Sequence, residues 1–122
     1  MKFKESKPIY LQIADRICDE ILQGKYKEEE RIPSVREYAA TVEVNANTVV
    51  RSFDYLQGQD IIYNKRGLGY FVASSGRNRI LELRKEVFLR DELPEFFRQI
   101  KTLDIPLKDV EKMYKEYLKE ND

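Results

Sequence analysis

Between Pro33 and Gln59 the chain reads PSVREYAATVEVNANTVVRSFDYLQGQ, and no other stretch limits the fold as strongly. Ser34-Val35-Arg36-Glu37 has the S-x-x-E form of a capping box, in which side chain and backbone satisfy each other's orphan donors at a helix start. The apolar pattern that follows breaks at Glu43-Val44-Asn45, and Asn45 is a good N-cap for a second helix. Two short helices joined by a tight turn make the skeleton of a helix-turn-helix.

The face that the second helix shows to solvent decides what such a pair is for. At roughly 100° per residue, Val49, Phe53 and Leu56 share one face and suit packing on the first helix. Asn47, Arg51 and Asp54 fall opposite, flanked by Thr48 and Tyr55. Asparagine and arginine pair two-pronged with adenine and guanine edges in the major groove. In a helix-turn-helix the N-terminal residues of the second helix reach those edges. The same side chains would also suit a polar solvated face on an ordinary helix pair, so the motif needs context.

Charge supplies part of that context. The 122 residues carry 22 basic and 22 acidic side chains, a balance that gives no general attraction to nucleic acid. Its distribution is uneven. Residues 31–79 hold seven basic and four acidic groups, whereas the flanking segments 1–30 and 80–122 are each slightly acidic. The positive third contains the helix pair. Phosphate neutralisation supplies most non-specific DNA affinity, so one chain is expected to bind weakly and with strong salt dependence.

Before the helix pair, Pro8 suits a helix start, and Ile9, Ile13, Ile17 and Ile21 recur every fourth residue. With Ala14, Cys18 and Leu22 they predict an amphipathic helix that ends near Gly24, and the run Glu28-Glu29-Glu30 reads as a solvated loop. After the pair, Ile61-Ile62-Tyr63 and Tyr70-Phe71-Val72 flank a polar segment with Gly67 and Gly69, which predicts a hairpin. Lys65 and Arg66 sit near its tip, where they suit DNA backbone or serve as solubilising charge. Three helices followed by a basic-tipped hairpin make a winged helix.

Four segments now carry a resemblance. Pro8-Ile9-Tyr10-x-Gln12-Ile13, Ile32-Pro33-Ser34-x-Arg36-Glu37-x-Ala39, Val44-Asn45-Ala46-Asn47-Thr48-Val49 and Gly67-x-Gly69-Tyr70-Phe71-Val72 resemble the GntR family of bacterial transcriptional regulators. The V-N-x-N-T-V form and the short C-terminal segment are similar to its YtrA subfamily. The resemblance spans about residues 8–73 and implies a winged helix on a homodimer that binds a double-stranded DNA operator. It also implies that Ser34 and Arg36, then Asn45, Asn47 and Thr48, then Gly67 at the wing turn belong to the DNA-binding site. Arg51, Lys65 and Arg66 join them from the reading of the residues themselves. Departures are visible. Ala46 stands where many members have an arginine, Asp60 replaces a glycine before the first wing strand, and the Glu28–Glu30 run replaces another. Asp tolerates a left-handed backbone better than most residues.

From Arg77 onward the pattern is helical; Pro94 must sit in a first turn or make a kink, so a break is expected near Asp91 to Leu93, and Pro106 opens a last helix. Phe88, Leu93, Phe96, Phe97, Ile100 and Leu103 lie on faces that residues 1–75 have no evident means to cover. The last helix adds Leu107, Val110, Tyr114, Tyr117 and Leu118 along one side. Such a segment cannot bury its own apolar surface, and a second chain would supply the missing half. The fold class expected is therefore mainly α with a small β-hairpin: a winged helix-turn-helix over 1–75 and a helical dimerisation region over 76–122.

Other function classes fare poorly. The chain has no histidine and one cysteine, Cys18, so a His base, a His-ligated metal and a disulfide framework within one chain are all excluded. No phosphate-binding loop is present, and the acidic groups lie on solvated helix faces, so neither catalysis nor a cofactor is expected. A winged helix that binds another protein is the remaining alternative, separable by salt dependence of association with random duplex. No apolar run approaches a membrane span and Met1-Lys2-Phe3-Lys4 leads into no signal-peptide core, so a cytoplasmic protein with no membrane partner is expected. Larger family members hold an effector in a bigger C-terminal domain. Residues 76–122 are too short for such a pocket, and any effector here would bind between chains or act on the dimer hinge.

Overall fold

The computed structural model describes residues 6–121. The elements are α1 (Ile9–Leu22), α2 (Val35–Val42), α3 (Ala46–Gly58), β1 (Ile62–Lys65), β2 (Gly69–Val72), α4 (Gly76–Val87), α5 (Leu93–Thr102) and α6 (Leu107–Glu120). A π-helical stretch, Phe88–Glu92, lies between α4 and α5. The chain divides into two compact units, one ending at Leu83 and the other beginning at Arg84.

Helix α1 starts after Pro8, whose carbonyl accepts from the Leu11 and Gln12 backbone N–H groups. Gly24 closes it at φ +85°, a left-handed position where a Cβ would be strained, and the Lys25 N–H reaches back to the Glu20 carbonyl. Ile13, Ile17 and Ile21 are buried as the spacing predicts, together with Ala14 and Cys18. Ile9 is not: it is 44% exposed, so the buried stripe begins one turn later than expected.

Both caps of the helix pair form. Ser34 Oγ accepts from the Glu37 N–H at 3.1 Å while Glu37 Oε1 accepts from the Ser34 N–H at 3.0 Å, a complete capping box. Asn45 Oδ1 accepts from the Asn47 N–H at 2.7 Å and starts α3. Between them Glu43 ends α2 in the left-handed region at φ +58°. Val49, Phe53 and Leu56 are fully buried, and the Phe53 ring meets Tyr70 edge-on with centroids 4.9 Å apart. Ser52 is buried too, and its hydroxyl is satisfied by donation to the Tyr10 carbonyl at 2.6 Å.

The hairpin pairs Ile62 with Val72 through Lys65 with Gly69, antiparallel. Residues 29–32 add a third, strand-like edge. The Glu29 N–H donates to Val72 O, the Val72 N–H to Glu30 O and the Ile32 N–H to Tyr70 O. Glu28–Glu30 is thus more than a solvated loop: its side chains are exposed, but the backbone of Glu29 and Glu30 is held by β2. An unpaired backbone beside a strand edge would leave both partners' polar groups to water, and pairing them closes the small sheet. Glu29 at φ +67° and Asp60 at φ +62° both take the left-handed backbone where the family resemblance places glycine.

The N-terminal unit does not stop at residue 75. Ile80 is 1% exposed and belongs to the same core as Val72 and Ile61, and the Arg79 guanidinium donates to the Gln59 carbonyl and side chain. Gly76 lets α4 come close to the sheet: a Cβ there would lie 2.6 Å from Ile61 O. The first half of α4 is therefore part of the winged-helix core, and the expected boundary shifts to Leu83.

In the C-terminal unit Pro94 falls in the first turn of α5, as expected, but what precedes it near Asp91–Leu93 is a π-helical stretch rather than an interruption. The backbone stays helical, and the Leu93 N–H bonds to Phe88 O, five residues back. Pro94 cannot donate and its ring would crowd the carbonyl four residues earlier, so a wider turn just before it relieves the clash without ending the helix. Among the described residues of the π-helical stretch, α5 and α6, none is buried. Exposed ion pairs such as Arg98–Glu95 and Lys115–Glu111 decorate α5 and α6 but contribute little to stability. No helix among the described residues is long and apolar enough to cross a membrane.

Candidate nucleic-acid interface

Three pieces of backbone carry the candidate residues, and all three lie in the N-terminal unit. The start of α2 holds Ser34 and Arg36, the start of α3 holds Asn45, Asn47 and Thr48 with Arg51 in its second turn, and the wing holds Lys65, Arg66 and Gly67. Asn47, Arg51 and Asp54 are exposed along α3, as the helical spacing predicts, and Thr48 is half-buried.

Ser34 and Asn45 have their side-chain acceptors committed to helix caps. Each fixes the direction in which a helix N-terminus points, and a helix N-terminus offers free N–H groups and a partial positive charge to a phosphate. Arg36 stands exposed in the first turn of α2. The Ser34 backbone N–H first, and then the Ser34 side chain, hold the Glu37 carboxyl below the usual carboxylate range, so the bonds of the box favour its charged form.

At the wing, Lys65 is the last residue of β1 and its ammonium lies 4.8 Å from the centre of the Phe71 ring. Stacking on an aromatic face steadies the cation while its donors stay in water. Arg66, Gly67 and Leu68 form the turn, closed by the Leu68 N–H donating to Lys65 O at 2.8 Å. Gly67 has φ +79°, which the turn requires and a side chain would resist. Tyr63 donates to Glu29 Oε2 at 2.5 Å, a bond that raises the phenol pKa and ties the wing to the added edge at 29–32.

Two residues escaped the sequence reading. Arg31 stands just before the Ile32-Pro33-Ser34 segment, donates from Nε to Leu68 O at 3.2 Å, and faces Glu37 at 3.6 Å. It joins the wing turn to the start of α2, which brings two of the three candidate pieces together. Its position beside I-P-S-x-R was the only available signal. The second is Tyr10, over whose ring the Arg51 guanidinium lies at 4.2 Å. Nothing in a helical wheel of α3 could place a residue of α1 under Arg51.

The dimerisation candidates are all in the C-terminal unit, from the π-helical stretch to the residue after α5. Phe88, Phe96, Phe97 and Leu103 are exposed, and Leu93 and Ile100 are partly covered. Among the described residues there is no group of three or more His, Cys, Asp or Glu arranged to hold a metal ion.

Comparison with known proteins agrees with this geometry. A solved structure of a putative GntR-family transcriptional regulator from Bacteroides thetaiotaomicron superposes with a TM-score of 0.82 at 60% identity, covering 94% of this chain and all of that one. The HTH-type transcriptional regulator YhcF of Bacillus subtilis (strain 168) is 36% identical over 104 residues, 85% of this chain and 84% of its own length. The HTH-type transcriptional repressor YtrA of the same organism is 27% identical over 113 residues, 93% of this chain and 86% of its own. Residues 9–72, from α1 through the wing, match the model of the bacterial regulatory proteins of the gntR family. The chain belongs to the GntR family of helix-turn-helix transcriptional regulators, is similar to its YtrA-like members, and is a DNA-binding regulator rather than an enzyme.

Proposed function

We infer that the chain is a repressor that binds a two-fold symmetric operator as a homodimer. The observation that carries this is the C-terminal unit, where no described residue of the π-helical stretch, α5 or α6 is buried although Phe88, Phe96, Phe97 and Leu103 are present. Apolar surface of that kind on a soluble chain marks an interface, and a two-fold contact covers the same patch on both copies. Two recognition helices related by that axis then meet two half-sites about one helical turn apart or a little more. Similarity to the repressor YtrA supports the sign of regulation.

Within each half-site, α3 enters the major groove. Asn47 reads a base edge, Thr48 lines the contact, and the caps Ser34 and Asn45 present the two helix starts. Arg36, Arg51, Lys65 and Arg66 supply the cationic contacts, and Gly67 lets the wing turn approach the backbone. The operator is found by selecting bound duplexes from a random pool with the full chain. An inverted repeat is expected, and a consensus with one unrepeated half-site would overturn the reading. Light scattering at micromolar concentration should give a dimer for the full chain and a monomer for Phe96→Asp/Phe97→Asp. A monomeric full chain would assign the C-terminal unit some other job.

A further inference from the structure

We propose that Tyr10, in the first turn of α1, is a positioning residue for DNA binding: its ring backs the Arg51 guanidinium and commits that arginine to the phosphate backbone. The inference rests on the reading above that Arg51 meets DNA, and it narrows the cationic contact Arg51 makes there to one with a phosphate.

The geometry has two parts. The Arg51 Cζ lies 4.2 Å from the centre of the Tyr10 ring, close enough for the guanidinium to gain from the face of the ring. The neighbouring Ser52 then anchors the backbone that carries that ring. Its buried hydroxyl donates to the Tyr10 carbonyl at 2.6 Å and contacts the Thr48 carbonyl at 3.2 Å, which locks the start of α1 against α3 at this level. The residues that carry ring and guanidinium are thereby held side by side.

Three consequences follow from the chemistry of arginine. A long exposed side chain loses rotamer freedom when it binds, and holding it beforehand reduces that loss. Stacking uses the face of the guanidinium and leaves the N–H groups along its edge, which match a phosphate in a two-pronged way. Arg51 also stands about one turn further along α3 than Asn47, which occupies the N-terminal turn where base edges are read. A guanidinium so placed serves the backbone beside the groove.

The test uses the full chain and two duplexes, the selected operator and a scrambled sequence, each titrated across a range of salt. Tyr10→Phe should behave as the original chain. Tyr10→Leu should weaken binding to both duplexes by roughly two- to tenfold, the range of an arginine–aromatic contact. In an Arg51→Ala background Tyr10→Leu should cost nothing more, and Arg51→Ala itself should flatten the salt slope by about one. Equal losses for Tyr10→Leu with and without Arg51, or failure of Tyr10→Phe to retain binding, would reduce the ring to ordinary packing and overturn the proposal. If Arg51→Ala weakens binding to the operator alone, Arg51 is a base reader and the phosphate assignment is wrong. If Arg51→Ala leaves both affinities unchanged, it is the underlying reading of Arg51 as a DNA contact that fails.

Discussion

Arg31 reaches from the strand-like edge at 29–32 to the wing turn, donating from Nε to the Leu68 carbonyl at 3.2 Å. The approach is close: a Cβ built on the next residue, Gly69, would lie 3.0 Å from that same nitrogen. The other side of the guanidinium faces Glu37 at 3.6 Å, a half-exposed pair that adds little energy but gives direction. The wing is thereby latched to the start of α2. Arg31→Met should loosen the turn, seen as faster hydrogen exchange at Leu68 and Gly69, with a loss of operator affinity of about three- to tenfold, the range of one exposed hydrogen bond. Arg31→Lys keeps the charge without the planar fork and should recover only part of that loss. Unchanged exchange in Arg31→Met would show that the hairpin holds its own angle.

The position of Ile80 makes a sharper prediction about where the DNA-binding domain ends. A chain cut after residue 75 loses Ile80 from the core and with it the Arg79 bonds to Gln59. Removing a buried isoleucine costs about 2–5 kcal/mol when only its side chain is truncated, a large share of a small domain's stability. Residues 1–83 should fold cooperatively, and residues 1–75 should melt far lower or fail to fold. Circular dichroism melts of the two fragments decide it, and matching midpoints would return the boundary to residue 75.

How much of this was legible in the chain itself depends on the range of the interaction. Ser34 with Glu37, and Asn45 with the Asn47 N–H, are bonds within three residues, so the caps, the helix pair and the exposed side of α3 could be read directly. The wing turn was legible for the same reason. What could not be read lies between distant segments: the pairing of residues 29–32 with β2, the Tyr10 ring beneath Arg51, and Ile80 under the sheet. Each depends on how elements pack, which local patterns do not encode. At Pro94 the placement in a first turn was legible, but the form of the junction before it was not. A proline signals that one hydrogen bond is missing, and a π-helical turn absorbs that loss as well as a break does.

Asn47 and Arg66 should separate reading from holding. Asn47 is exposed at the start of α3, where base edges lie within reach, and Asn47→Ala should cost about 1–3 kcal/mol on the selected operator and little on a scrambled duplex. Arg66 sits in the wing turn next to Gly67, and Arg66→Ala should weaken both duplexes alike and lower the salt slope by about one. Affinities measured at several salt concentrations distinguish the two patterns. Equal losses on both duplexes for Asn47→Ala would remove its base-reading role.

Tyr38 predicts how the domain fails in alkali. Its ring is 2% exposed against Phe53, and its hydroxyl donates to Glu20 Oε1 at 2.8 Å, while Lys25 donates to Glu20 Oε2 at 3.0 Å. Burial above all, then the bond to Glu20 and its negative charge, push the phenol well above its ordinary pKa of 10. The folded state therefore holds this proton more tightly than the unfolded state does. The stability linked to it is present in full below about pH 10 and is lost as the pH rises above that value. Tyr38→Phe leaves Glu20 short of one donor and should cost about 1–3 kcal/mol near neutral pH. Because the variant has no phenol to ionise, the gap between it and the original chain should narrow as the pH passes about 10. Urea unfolding of both chains at about pH 7, 9 and 10.5 measures that gap, and a constant difference across the series would show that the Tyr38 proton is not linked to folding.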